Sequence, residues 1–253
     1  MRAAGLDIGS RTVEFVVLED AAVVSEQWFD TTPDVENECA ALLEAAPFDR
    51  LIVTGYGRAL AELKFDATTV TEIRAHATGA WALFPGCRTV LDVGGQDTKV
   101  IALDAEGRVT HFEMNDRCAA GTGKFLETMA GALGFAIDAF GAAALRGSDG
   151  LRLSNMCTVF AESEVIGLVT RGEKREDVAR AVHDSIHRRN LAMVRRLSPE
   201  APLVFSGGAA RNLCLVRLME DELGLEVLVP ERPHMMGAYG AAVIAGGARG
   251  SGG

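Results

Sequence analysis

The chain has 253 residues, enough for one large domain or for two lobes of roughly 100–150 residues each. Apolar residues make up 48% and charged residues 24%, the balance of a chain with a sizeable core to bury. The formal net charge of −10, from 25 basic and 35 acidic residues, speaks against nonspecific nucleic-acid binding and against an anionic membrane surface. No run approaches the ~18 uninterrupted apolar residues of a membrane span. Asp7 interrupts the N-terminal apolar run before a signal-type segment develops, so a cytoplasmic location is expected.

The stretch AAGLDIGSRTVEFVVLED reads as strand, glycine turn, strand, and VVSEQWFD as a third extended segment. DVENECAALLEAA has helical spacing, with Asp34 placed to cap it. RLIVTGYG is a buried strand ending in a turn, and TEIRAHATGAWALF a helix. Then the opening pattern returns. RTVLDVGGQDTKVIALDAEGRV is again an apolar strand, an Asp-x-Gly turn and an apolar strand, with EGR as a hairpin turn after it. The two aspartates, Asp7 and Asp92, lie 85 positions apart. Helices are expected over 116–133 and 157–171, with a long one near 174–196. PLVFSGGAARN follows as a strand and turn, then a helix to about Gly224, the strand LEVLVP, and a last apolar helix over about 235–248. The expected class is α/β, with duplicated lobes over residues 1–88 and 89–253, a cleft between them, and the last helix packed back on the first lobe.

Three glycine turns are candidate nucleotide contacts. In LDIGS a strand delivers Asp7 to a turn where Gly9 lets the backbone approach a phosphate and Ser10 offers a hydroxyl. Asp7 would hold a Mg²⁺-bound water, because a carboxylate and a phosphate repel. LDVGGQD repeats the device: Gly94 and Gly95 expose backbone N–H groups, and Gln96 and Asp97 can orient a water or a metal. In VFSGGAARN, Gly207 and Gly208 lack a Cβ and let a purine and ribose lie against the backbone ahead of Asn212. A fourth stretch, NDRCAAGTGKFLETMA, ends in GTGK but is no P-loop. Cys118 stands where the first glycine of Gly-x-x-x-x-Gly-Lys-Ser/Thr belongs, and Phe125 where the hydroxyl residue belongs.

The trio of turns looks like the phosphate-1, phosphate-2 and adenosine motifs of the actin, sugar-kinase and heat-shock-chaperone ATPase fold. The resemblance implies two ribonuclease-H-like lobes around a nucleotide. Within that fold, LDIGS, TGYGR, LDVGGQDTKV, NDRCAAGTGKFLE, CTVFAESEV and SGGAARN together resemble the activator ATPases of 2-hydroxyacyl-CoA dehydratases. The ATPase subunits of benzoyl-CoA reductases are close relatives. The resemblance runs from Gly5 to about Ala245. One departure is Glu14, where the family often carries a lysine; Arg11 is expected to supply the positive charge instead.

The five cysteines are widely spaced, and Cys39, Cys87 and Cys214 are expected to be buried and inert. Cys118 and Cys157 are each expected at a helix N-terminus, where free N–H groups favour the thiolate that an iron–sulfur cluster needs. Asn115 or Asp116 would cap the first of these helices. No C-x-x-C pair and no neighbouring histidine suggests zinc, and His111 and His234 are lone residues at the surface or core edge. Two cysteines per chain are too few for an ordinary cluster, and a two-fold homodimer doubles them. The resemblance implies the same arrangement: one 4Fe–4S cluster per homodimer, held by Cys118 and Cys157 of each copy. It further implies Mg²⁺ with ATP or ADP as ligands, ferredoxin or flavodoxin as electron donor, and an acyl-CoA dehydratase or reductase component as acceptor. Catalytic roles would fall to Asp7, Gln96 and Asp97. A small-molecule kinase of the same fold, or a cluster-free ATP-driven scaffold, would not need the two cysteines.

Overall fold

The computed structural model describes residues 1–154 and 157–247. Residue 248, the expected end of the last helix, lies outside these, as do Asn155 and Met156 in the extended stretch expected before Cys157. The first sheet contains β1 (Arg2–Ile8), β2 (Thr12–Glu19), β3 (Ala22–Asp30), β4 (Arg50–Thr54) and β5 (Thr68–Thr69), in the order β3-β2-β1-β4-β5. The second contains β6 (Thr89–Val93), β7 (Thr98–Leu103), β8 (Val109–Asn115), β9 (Leu203–Ser206) and β10 (Val227–Leu228), in the order β10-β9-β6-β7-β8. Read from the hairpin edge, the two orders are the same. The duplication seen at Asp7 and Asp92 therefore extends to whole sheets.

Three helices belong to the first half: α1 (Val35–Ala45), α2 (Arg58–Phe65) and α3 (Glu72–Leu83). Between β8 and β9, where the first half has only α1, the second half places α4 (Gly123–Ala132), α5 (Ile137–Arg146), α6 (Thr158–Thr170) and α7 (Arg175–Arg196). α8 (Leu213–Leu223) joins β9 to β10, and α9 (Met236–Ala245) follows. No single described helix is long and apolar enough to cross a membrane.

The chain divides into two compact units. One holds Met1–Val90, Ile101–His111 and the residues from Pro230 onward; the other holds Leu91–Val100 and Phe112–Val229. In the first unit the two-residue period of β1 sorts its side chains. Ala4, Leu6 and Ile8 join Val13, Phe15 and Val53 in a core closed by Cys39 and Leu42 of α1 and Ala61 of α2. On the opposite face, Ala3 and Ile52 meet Ala241 and Ala245 of α9. Gly5 lets α9 lie directly on β1, because a Cβ there would overlap the Ala238 carbonyl. The second unit packs Leu91, Val93, Val100, Leu203 and Phe205 against α4 to α8, with Phe125, Met129, Phe140, Val165, Val182 and Ile186 in the core.

The helix expected over 116–133 begins only at Gly123, so Cys118 sits in a loop upstream of α4 and not at its N-terminus. Gly121, at φ +89°, turns the chain out of the helical region, and Thr122 is extended at φ −108°, ψ 174°. Cys157 is placed as expected, at the N-cap of α6. Asp34 holds the N-cap position of α1, but its carboxylate accepts from Asn37 Nδ2 at 2.6 Å and makes no cap bond to the backbone. The helices α2 and α5 were not expected from the sequence. The first is short and begins after a glycine-rich turn, and the second carries an internal glycine in an alanine-rich segment.

Candidate active site

The two Asp-x-Gly turns share one backbone. Gly9 N–H donates to Thr12 O at 3.0 Å, and Gly94 N–H donates to Asp97 O at 3.0 Å. The correspondence continues into the neighbouring parallel strands. Asp7 lies beside Thr54 at the end of β4, and Asp92 is hydrogen-bonded to Ser206 at the end of β9. Both of these residues are followed by a glycine at positive φ, Gly55 at +97° and Gly207 at +83°. A Cβ at Gly55 would lie 2.5 Å from Ile8 O, and one at Gly207 would overlap Val93 O. Each turn thus needs a glycine because the strand beside it ends against it.

Side chains then distinguish the turns. In the second, Asp92 is 2% exposed and Lys99 likewise 2%. Ser206 Oγ–H donates to Asp92 Oδ1 at 2.9 Å, and Lys99 Nζ donates to Asp92 Oδ2 at 3.3 Å. Lys99 also pairs with Asp97 Oδ2, while Asp97 Oδ1 packs against Gly94. In the first turn, positions Thr12 and Glu14 stand where Asp97 and Lys99 stand in the second. The Asp7 carboxylate is framed by glycines: a Cβ at Gly55 would overlap Oδ1, and one at Gly237 of α9 would overlap Oδ2 and lie 3.2 Å from His76 Nε2. Ser10, Arg11 and Gln96 are exposed at the tips of their turns.

Among the glycines singled out for the nucleoside, Gly208 opens onto free space, with nothing within 4 Å of a built Cβ, whereas Gly207 is buried against β6. Asn212 is occupied within the protein. Its Oδ1 caps α8 by accepting from Cys214 N–H at 3.1 Å and Leu215 N–H at 3.3 Å. Its Nδ2 meets His183 Nε2 at 2.9 Å, and His183 Nδ1 meets Ala179 O at 2.7 Å. The pattern assigns His183 as neutral, with its proton on Nδ1. Burial pushes its pKa down to about 4.

The cysteines separate into two classes. Cys39, Cys87 and Cys214 are buried, and desolvation pushes each thiol up to about 11. Cys118 is half-buried and Cys157 exposed. The loop that carries Cys118 is closely tied. Asn115 Nδ2 donates to Cys118 O at 2.9 Å, Thr122 Oγ–H to Ala119 O at 2.7 Å, and Asn190 Nδ2 to Gly121 O at 3.2 Å. The loop is also tied to the second turn: Gly123 N–H donates to Gly94 O at 2.9 Å and Lys124 N–H to Gly95 O at 2.8 Å. The first N–H groups of α4 are therefore satisfied by the glycine turn. Among the described residues, no three His, Cys, Asp or Glu side chains converge as a metal site. Two accessible thiols in one chain supply half of the four ligands of a 4Fe–4S cluster, and so suit one shared between two copies.

Residues 4–245 match the BadF/BadG/BcrA/BcrD ATPase family. The chain belongs to that family. It is 36% identical to a 2-hydroxyisocaproyl-CoA dehydratase activator from Clostridioides difficile, over 97% of this chain and 95% of that one. The solved structure of that activator, with bound ADPNP, superposes with a TM-score of 0.88, covering 97% of this chain and 94% of the other. Component A of the Acidaminococcus fermentans (R)-2-hydroxyglutaryl-CoA dehydratase is 32% identical, with a TM-score of 0.89 over 96% and 97% of the two chains. A ROK-family glucokinase from Streptomyces griseus, 15% identical with a TM-score of 0.62 over 98% and 100% of the chains, shares the fold alone. The expected α/β class and the resemblance to activator ATPases both hold.

Sequence reading gave no role of their own to Lys99, Thr54, Gly55 and Gly237, which lie around the two turns, and used Asp92 only to mark the repeat. One signal was present: Lys99 is the lone charge in the buried strand TKVIAL. Nothing local marks Gly237, which meets Asp7 only through the fold.

Proposed function

We propose that this chain is an ATP-driven activator that passes one low-potential electron to a 2-hydroxyacyl-CoA dehydratase, or to a reductase component of the benzoyl-CoA type. The relatives' names support the partner class, and family membership supports ATP hydrolysis. The observation that carries the reading is the bonding of the Cys118 loop to the second phosphate turn through Gly123 and Lys124. A displacement of Gly94 and Gly95 on phosphate binding is passed to that loop without an intervening side chain.

In this reading Gly9, Ser10, Arg11, Gly94 and Gly95 bind phosphates with Mg²⁺, and Gly207, Gly208 and Asn212 form the nucleoside side. Asp7, Gln96 and Asp97 orient water and metal for hydrolysis. Cys118 and Cys157 of two copies would hold one 4Fe–4S cluster, which supplies one-electron redox chemistry at low potential. Val159, Phe160 and Ile166 are exposed on α6, the helix that Cys157 begins, and offer apolar surface suited to a second copy. A reduced ferredoxin or flavodoxin is the proposed donor, and the cytoplasm the proposed location.

The test is iron analysis and nucleotide calorimetry on anaerobically prepared protein. About four irons per dimer are expected, lost in Cys118→Ser and in Cys157→Ser with ATP affinity intact, and kept in Cys39→Ser, Cys87→Ser and Cys214→Ser. Gly208→Val, which fills the open space beside the turn, should weaken ATP or ADP at least tenfold while iron is kept. Full iron in Cys118→Ser, or four irons per monomer, would overturn the shared cluster.

A further inference from the structure

We infer that Lys99 is a positioning residue that fixes the Asp97 carboxylate at the second phosphate turn, as the middle link of a buried chain running Ser206, Asp92, Lys99, Asp97. The inference rests on the reading of Asp97 as a group that serves ATP hydrolysis, and names what holds it there.

Lys99 lies on β7 among Val100, Ile101 and Leu103, with its side chain 3% exposed. A buried ammonium persists only when paired, and here two carboxylates share it. The sharing is asymmetric. Asp92 is buried, and both of its oxygens are occupied inside the protein, Oδ1 by Ser206 and Oδ2 by Lys99. Asp97 keeps 22% of its side chain exposed at the turn. Its Oδ2 is held by Lys99, and its Oδ1 rests on Gly94, where a Cβ would lie 2.5 Å away. The carboxylate therefore has one orientation, with Oδ1 beside the turn whose N–H groups are assigned to phosphate. Asp92 takes no part at the surface; it anchors the ammonium that orients its neighbour. Ser206 ends the chain next to Gly207, so the same contacts join the nucleoside-side glycines to the phosphate turn within one unit. The first turn has Thr12 and Glu14 at the equivalent positions and cannot build this device.

The experiment compares steady-state ATP hydrolysis and ADP affinity in four variants: Lys99→Met, Lys99→Met with Asp92→Asn, Asp97→Asn, and the triple combination. The double variant removes both buried charges together, so it remains informative if Lys99→Met alone does not fold. In the double variant kcat should fall at least tenfold at saturating Mg·ATP, with KM and ADP affinity within threefold of wild type. Adding Asp97→Asn should then change kcat by less than threefold, because the carboxylate has already lost its orientation. Wild-type kcat in the double variant, or a full further loss on adding Asp97→Asn, overturns the role of Lys99. Full turnover in the single variant Asp97→Asn overturns the hydrolytic reading of Asp97, and the inference with it.

Discussion

The turn after β1 and the turn after β6 close the same hydrogen bond and set their carboxylates among different neighbours. At Asp7, Gly55 stands against one oxygen and Gly237 against the other, with His76 beside Gly237. At Asp92 and Asp97 the frame is ionic, with Ser206 and Lys99 as partners. The backbone of a duplicated unit is constrained by strand geometry and by glycines that no side chain can replace. Its side chains have no such constraint once a local partner balances their charge. What is common to the two turns is therefore the part that brings N–H groups forward, and what differs is the set of neighbours around each carboxylate.

The strongest test of the common part is a matched pair. Gly55→Ala and Gly207→Ala each place a Cβ against a strand-end carbonyl at positive φ. Each should destabilise the protein by about 3 kcal/mol or more, read as a lowered denaturant midpoint. Gly208→Ala, with nothing within 4 Å of the new Cβ, should cost less than about 0.5 kcal/mol. A large loss at Gly55 with none at Gly207 would mean that the two turns are not built alike.

The strands and the repeat were legible because apolar runs bounded by glycine are local signals. The start of α4 was not. The sequence suggests a helix running through 116–133, while the chain turns at Gly121, φ +89°, whose carbonyl accepts from Asn190 of α7, a residue far along the chain. The glycine motifs announced the turns, but Gly237 and Ser206 reach the aspartates only through tertiary contacts. Asn212 shows both kinds of signal: its motif places it after the glycine turn and its side chain caps α8 locally, while its contact with His183 of α7 is tertiary.

The two units also differ in their helical layers, and acid should expose it. In the second unit α7 carries His183, buried between Ala179 O and Asn212. Its folded pKa of about 4 lies below the ordinary 6.5. Between these values the unfolded chain binds the extra proton and the folded protein does not. Stability from this group is full above about pH 6.5 and falls as the pH drops through 6.5 towards 4, by about 3 kcal/mol in all. Burial lowers the pKa of His187 in the same helix too, which adds in the same sense. Amide exchange should therefore show the α7 and α8 region opening before the first sheet as the pH is lowered. His183→Gln should flatten that part of the profile, and an unchanged slope would remove His183 as its source.

The finest distinction lies at the tips. Aligned on the shared hydrogen bond, Arg11 of the first turn and Gln96 of the second occupy the same place, and both are exposed. Their chemistry differs. A guanidinium attracts phosphate before and during reaction about equally, which lowers KM without raising kcat. An amide is neutral and adds little to ground-state attraction, but it can orient a water as the bond to phosphorus breaks. Arg11→Ala should therefore weaken Mg·ATP binding roughly tenfold, about 1.4 kcal/mol, with kcat at saturation little changed. Gln96→Ala should do the reverse, lowering kcat roughly tenfold with nucleotide affinity within about twofold. Steady-state kinetics with calorimetric ADP affinities separates the two. If both variants lose affinity and neither loses turnover at saturation, the second turn binds phosphate just as the first does, and the division of labour between them is wrong.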